Sequence, residues 1–117
     1  MRDRRAAETR GRDGEARAAW FLRAKGWRII DQRVRTPAGE VDLVARRGNL
    51  VAFVEVKTRR TVAELDHAID EHRLSRVAAA AEILAPRYAK DGEDIRIDVV
   101  LIAPRAWPRH IENAWIG

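Results

Sequence analysis

Asp42, Glu55 and Lys57 are the side chains whose types and spacing could do chemistry: an acid is followed, about a dozen residues later, by Glu55-Val56-Lys57. Two carboxylates beside an amine suit phosphodiester hydrolysis. The acids hold a hard divalent cation through oxygen, and the amine orients or deprotonates a water. Glu40, two residues before Asp42, joins the group by position.

Gly48-Asn49 between two apolar runs predicts a two-residue hairpin loop. Gly accepts positive φ at the first loop position and Asn tolerates the left-handed region at the second. Arg47 then pairs with Leu50, and stepping outward sets Asp42 opposite Glu55 and Glu40 opposite Lys57, each pair on one face. One face is wholly apolar, with Val41, Leu43, Ala45, Ala52, Val54 and Val56. The other is apolar near the turn, with Val44, Val51 and Phe53, but gathers its charges at the open end, as at the floor of a cleft. Opposed carboxylates with Cβ atoms ~5 Å apart repel by roughly 3 kcal/mol when the effective dielectric is about 20. A shared proton, Lys57, an arginine or a divalent cation must offset that repulsion. One reading is a magnesium or manganese ion on Asp42, Glu55 and the main-chain oxygen of Val56. The spacing alone equally allows a salt-bridged hairpin in which Glu40 pairs with Lys57 and the other acids are solvated.

The elements that must hold these groups follow from pattern. Asp13 offers an N-cap, and Ala16, Ala19, Trp20 and Arg23 share a helical spacing until Gly26, so a first helix is expected over about 14–25. Strands are expected over 27–34, 40–46 and 50–57, the first ending at the turn signal Thr36-Pro37-Ala38-Gly39. Asp70 can cap a second helix carrying Leu74, Val77, Ala78, Ala81 and Leu84, which Pro86 should end or kink. A buried strand over 95–102 and a last one over 109–116 complete a mixed α/β domain.

The chain of 117 residues, 46% hydrophobic and 35% charged, is sized for one core. Residues 1–12 read as a flexible basic arm and 13–117 as a single domain. No apolar run approaches the ~20 residues of a membrane span, and the first dozen residues lack the features of a secretory signal, so the cytoplasm is the expected location. With no cysteine and three scattered histidines, disulfide scaffolds, thiolate chemistry and nitrogen–sulfur metal sites are excluded; any metal needs oxygen ligands. Of the 23 basic residues only Lys25, Lys57 and Lys90 are lysines, so the charge sits mostly on the residue that grips phosphate bidentately. Residues 1–35 carry 11 basic and 5 acidic side chains, which suggests a polyanionic partner such as nucleic acid. An arginine-rich genome accounts for the excess equally well.

The motifs Gly14-Glu15-x-x-Ala18, Gly39-Glu40-x-Asp42-Leu43, Phe53-Val54-Glu55-Val56-Lys57-x-Arg59, Arg96-Ile97-Asp98-Val99-Val100 and His110-Ile111-x-Asn113-Ala114-Trp115 resemble the small bacterial YraN-type family. That family is similar to Holliday junction resolvases and to the wider restriction-endonuclease-like superfamily. The resemblance implies a central mixed sheet flanked by helices and a magnesium-dependent endonuclease acting on DNA, branched DNA included. It gives Asp42, Glu55 and Lys57 the core roles and adds Glu15 from the first helix. Junction-cutting relatives work as two-fold dimers, so a homodimer is implied as well. Where many relatives carry a lysine at the start of the long helix, this chain has Arg73; a phosphate contact survives that exchange and a proton-transfer role does not.

Arg59, Arg60 and Arg73 border the Lys57 end of the hairpin and are candidates for phosphate contacts. Asp98, inside an apolar strand, is read as half of a buried ion pair, because an unpaired carboxylate there is costly. Trp27, Trp107 and Trp115 could stack bases but are assigned to packing, and the histidines receive no catalytic role. Two rival classes stand beside the enzyme: a non-catalytic nucleic-acid-binding module of the same fold, and a structural protein whose acids form internal salt bridges.

Overall fold

The strand Leu50–Thr58 (β3) is apolar on both faces through Val51, Ala52, Phe53 and Val54, all buried, which is the pattern of a strand covered from both sides. The computed structural model describes residues 4–115, with side chains from Gly11 onward, and puts β3 in the middle of a five-stranded sheet. The elements in order are α1 (Arg4–Ala24), β1 (Arg28–Arg35), β2 (Glu40–Arg47), β3, α2 (Val62–Leu65), α3 (Glu71–Tyr88), β4 (Asp94–Ile102) and β5 (Arg109–Ile111). The sheet order is β1-β2-β3-β4-β5, with β3 and β4 parallel and every other pair antiparallel. The parallel pair requires a crossover, which α2 and α3 supply. This mixed sheet flanked by helices is the expected fold class, and it is consistent with a restriction-endonuclease-like arrangement.

Each face has its own core. Phe53, Val44, Val51, Val99 and Leu101 pack under α3 through Leu74, Val77, Ala81 and Leu84. Leu43, Ala45, Ala52, Val54, Val100 and Ile102 pack under α1 through Ala18, Ala19 and Leu22. Phe53, fully buried, is the largest side chain of the first core, and its truncation to Ala would cost about 3–5 kcal/mol. The α3 cap is as expected: the Asp70 side chain accepts from His72 N at 2.9 Å and Arg73 N at 3.4 Å, satisfying orphan donors of the first turn.

Four expectations are corrected. The helix α1 begins at Arg4, not near residue 14, so residues 4–12 of the predicted arm are helical, while residues 1–3 lie outside the described part. Asp13 is therefore no cap, and Glu15 lies in the helix interior, away from the N-terminal end of the dipole. The buried side of α1 is Gly14, Ala18, Ala19 and Leu22, and Ala16, Trp20 and Arg23 face outward. Pro86 neither ends nor visibly interrupts α3, which continues to Tyr88; two more helical residues follow it. The last strand is three residues long rather than eight, and the end of the predicted span, Ile116, lies outside the described residues.

Candidate active site

The hairpin register is the predicted one from Arg47↔Leu50 to Leu43↔Val54, turning on Gly48 at φ +60°. There the ladder stops. Val56 N–H would next bond the Val41 carbonyl, but it donates instead to Asp42 Oδ2 at 2.7 Å. The start of β2 goes with β1, where Val41 faces Val34 and Glu40 faces Arg35, and Val41 packs in the α3 core instead of beside Leu43. The hairpin thus opens where its carboxylates begin.

Four acids meet at this opening. Asp42 is largely buried and faces the carboxylates of Glu15, Glu55 and Glu40; burial, and then those charges, push its pKa up to about 6 against the lowering effect of the Val56 N–H. Asp42 has no ion-pair partner among the described residues. Glu55, 3% exposed, is held through Oε1 by Arg73 Nε at 2.8 Å and Lys57 Nζ at 3.4 Å. The Lys57 side chain is 12% exposed and that of Arg73 57%, so one cation is built in and the other reaches over from solvent.

Glu15 arrives from α1 because Gly14 allows it. A Cβ at residue 14 would collide with Thr58 Oγ1, so glycine lets the helix lie directly on the end of β3 and brings Glu15 alongside Asp42. Arg33 then bonds Glu15 Oε1 at 2.9 Å from a left-handed backbone, φ +51°, an uncommon conformation for arginine. Sequence reasoning missed Arg33, and no local pattern marks a left-handed arginine.

The remaining candidates divide. Glu40 is half exposed and pairs with Arg35 at 3.6 Å, so the expected Glu40–Lys57 pair is replaced by Glu55–Lys57. Arg73 joins the acids. Arg59 and Arg60 lie on the other side of Thr58, lining a cleft with Asp13, Gly14 and Arg17. Val56 enters the site through its N–H, which donates to Asp42 Oδ2.

Asp98 is the buried ion pair it was read as, with Arg96 as the partner. It accepts from Arg96 Nε and Nη2 at 2.8 and 2.9 Å, His110 Nε2 at 2.7 Å and Asn113 N at 3.0 Å. Burial alone would raise its pKa; the bonds from His110, Arg96 and Asn113 outweigh that and hold it at about 2. This network ties β5 and the following turn to β4 and lies among fixed partners, so it is structural. Trp27 and Trp115 pack in or against the cores as assigned, but Trp107, assigned to packing as well, is 80% exposed.

No three or more Asp, Glu, His or Cys side chains form a ready metal cage among the described residues. A magnesium ion does not ask for one, since it keeps several waters and takes one or two carboxylates. The donor set fits such an ion: Asp42 offers a carboxylate oxygen with no ion-pair partner of its own among the described residues, and Glu55 is one of the acids it faces.

The family model described as "Uncharacterised protein family UPF0102" matches residues 14–102, a span that holds Glu15, Asp42, Glu55, Lys57 and Arg73. A UPF0102 protein of Erythrobacter litoralis is 72% identical over 96% of this chain and 97% of its own length. Others from Sphingopyxis alaskensis and Rhizorhabdus wittichii are 65% and 59% identical, covering 96% and 100% of this chain and 97% and 99% of their own lengths.

Proposed function

The chain belongs to the UPF0102 family, the YraN-type group its motifs resemble, and from that membership and the acid cluster we propose a magnesium-dependent endonuclease acting in the cytoplasm on DNA, branched DNA included. The observation that carries the reading is Asp42: a largely buried carboxylate facing three others, each of which has a cation of its own while Asp42 has no ion-pair partner among the described residues. A carboxylate kept so is a standing cost to the fold, and costs of this kind concentrate at functional sites.

Asp42 and Glu55 would hold the cation through their carboxylate oxygens, while the Val56 N–H fixes the Asp42 carboxyl and Lys57 holds Glu55 in place. When bound, magnesium polarises the phosphodiester and acidifies a water. Lys57 would orient an attacking water or accept its proton, and the exposed Arg73 would exchange Glu55 for a phosphate oxygen. Glu15 adds charge from α1, held by Arg33. Cutting a junction in two symmetry-related strands needs two such sites, hence two copies of the chain. No helix among the described residues is long and apolar enough to cross a membrane.

One observation favours the rival binding module: Arg73 and Lys57 already neutralise Glu55 without a metal. A gel assay on a synthetic four-way junction and matching duplex, with magnesium, manganese or excess chelator, separates the two. Cation-dependent cleavage lost in Lys57→Ala and Asp42→Asn, with DNA binding retained, is the expected result. Binding without cleavage at any cation overturns the enzyme in favour of the module.

A further inference from the structure

Trp20 and Trp107 are 64% and 80% exposed, and they line one groove of about 550 Å³ with Ala16, Arg17, Arg105 and Pro108. Neither ring packs against another aromatic ring among the described residues. Trp20 stands on the outward side of α1, one turn past Ala16. Trp107 follows Arg105, whose left-handed backbone, φ +61°, turns the loop after β4, and Arg17 Nη2 ties that loop to the helix by donating to Ala106 O at 3.4 Å.

The charge around the groove identifies its occupant. Arg17 also lines the neighbouring cleft, together with Arg59, Arg60, Gly14 and Thr58. Arg17, Arg59, Arg60 and Arg105 therefore form a cationic track, with Asp13 the one acid lining it among the described residues, which runs from the two tryptophans to Gly14 and Thr58, the chain neighbours of Glu15 and Lys57. Two exposed indole rings at one end of a row of guanidinium groups match a polymer of flat rings and phosphates. Duplex bases are stacked on each other and unavailable to such rings, so the match is to unpaired nucleotides.

We propose that the Trp20–Trp107 groove binds the unpaired bases of a single-stranded DNA segment whose backbone follows Arg17, Arg59 and Arg60 toward the acids. This rests on the reading of the acid cluster as a nucleic-acid site and specifies its substrate as DNA with a single-stranded segment next to the cut.

The test is fluorescence anisotropy of a labelled single-stranded 20-mer, the same strand as duplex, and an abasic strand of equal charge, against the full chain and its Trp107→Ala, Trp20→Ala and Trp107→Phe variants. Both residues are exposed, so the fold should survive, and unchanged melting temperatures check it. Affinity for the single strand should fall about tenfold in each Ala variant, with Trp107→Phe near the parent, duplex binding unmoved, and the abasic strand insensitive to all three. Equal single-strand binding by parent and Trp107→Ala overturns the proposal, as does no single-strand binding by the parent. Sedimentation in which Trp107→Ala turns a dimer into a monomer while single-strand affinity holds overturns it in favour of a second copy of this chain. Junction cleavage lost in Lys57→Ala is read separately, so tryptophan-dependent binding without any cleavage sinks the nuclease reading and leaves the groove assigned.

Discussion

The Asp42 carboxylate accepts the main-chain N–H of Val56 at 2.7 Å, in the place the Val41 carbonyl would hold if the β2–β3 ladder ran past Leu43 and Val54. One side chain therefore ends a ladder and satisfies the donor it exposes. It also fixes where one carboxyl oxygen points, while the other is left to the acid cluster.

This position makes Asp42 a liability at neutral pH. Its carboxyl titrates at about 6 in the folded chain against 3.8 ordinarily, chiefly through burial. Below the ordinary value both states are protonated and the fold carries no penalty; as pH rises from there through 6, stability falls by about 3 kcal/mol and then levels. Asn can still accept from Val56, so Asp42→Asn should be the more stable protein at neutral pH, with the gap closing on acidification to about pH 4. Urea unfolding across that range checks it. Parallel pH profiles for the two proteins would show that Asp42 is not the strained group.

The two cations on Glu55 should be unequal. Lys57 is shielded and Arg73 mostly solvated, so Lys57→Ala leaves a buried carboxylate with one weakly held partner. Removing one partner of a buried pair costs about 3–5 kcal/mol in full burial, and an exposed ion pair contributes about 1 kcal/mol at most. Lys57→Ala is expected to cost about 2 kcal/mol or more and Arg73→Ala no more than about 1. A reversed order in denaturant midpoints contradicts this assignment of roles.

Much of this site was legible because Gly48-Asn49 admits few hairpin geometries, and a two-residue loop fixes the register of everything near it. Extrapolation failed only past Leu43, where Asp42 bonds Val56 itself and β2 turns toward β1; the Glu40–Lys57 pair was lost with it. The mixed sheet followed from the order of elements and from the long amphipathic helix between β3 and β4. Glu15 reached the site through a contact of Gly14 with Thr58, distant in sequence, which only the motif resemblance had anticipated. Trp107 was misassigned because a lone tryptophan in a loop has no period to reveal its side. Trp20 was more accessible to pattern, since the small and apolar residues Gly14, Ala18 and Leu22 repeat at four and leave it on the opposite stripe.

Asp98 should give the opposite pH response to Asp42. Its pKa is held at about 2 by His110, Arg96 and Asn113 against the effect of burial, so its contribution is complete above about pH 4 and is lost as pH falls through 2, a difference of about 2 kcal/mol. At neutral pH Asp98→Ala leaves Arg96 and the buried His110 ring without their acceptor and should cost about 3 kcal/mol or more. Chemical unfolding at neutral pH measures the loss, and a cost under about 1 kcal/mol would mean the network adds little. Asp42→Asn and Asp98→Ala thus bracket the stability profile, one flattening its fall between pH 4 and 6, the other removing its acid limb.

The approach of α1 to β3 supplies the last prediction, because its sign reverses with the partner. In a helix interior Ala is favoured over Gly by about 1 kcal/mol, so Gly14→Ala would stabilise a free α1. Here the new methyl collides with Thr58 Oγ1, and the helix must lift from the strand, taking Glu15 away from Asp42. Gly14→Ala should therefore destabilise the wild-type chain and stabilise a Thr58→Ala chain, in which the hydroxyl is gone and the helix gain is free to appear. A four-protein thermal unfolding cycle reads the coupling directly, and additive effects of the two substitutions would show that Gly14 is not the contact that seats the helix. Lifting the helix also relieves Asp42 of one neighbouring charge, so in the Gly14→Ala chain the Asp42 titration should move down from about 6, a shift that carboxyl NMR can follow without any activity assay.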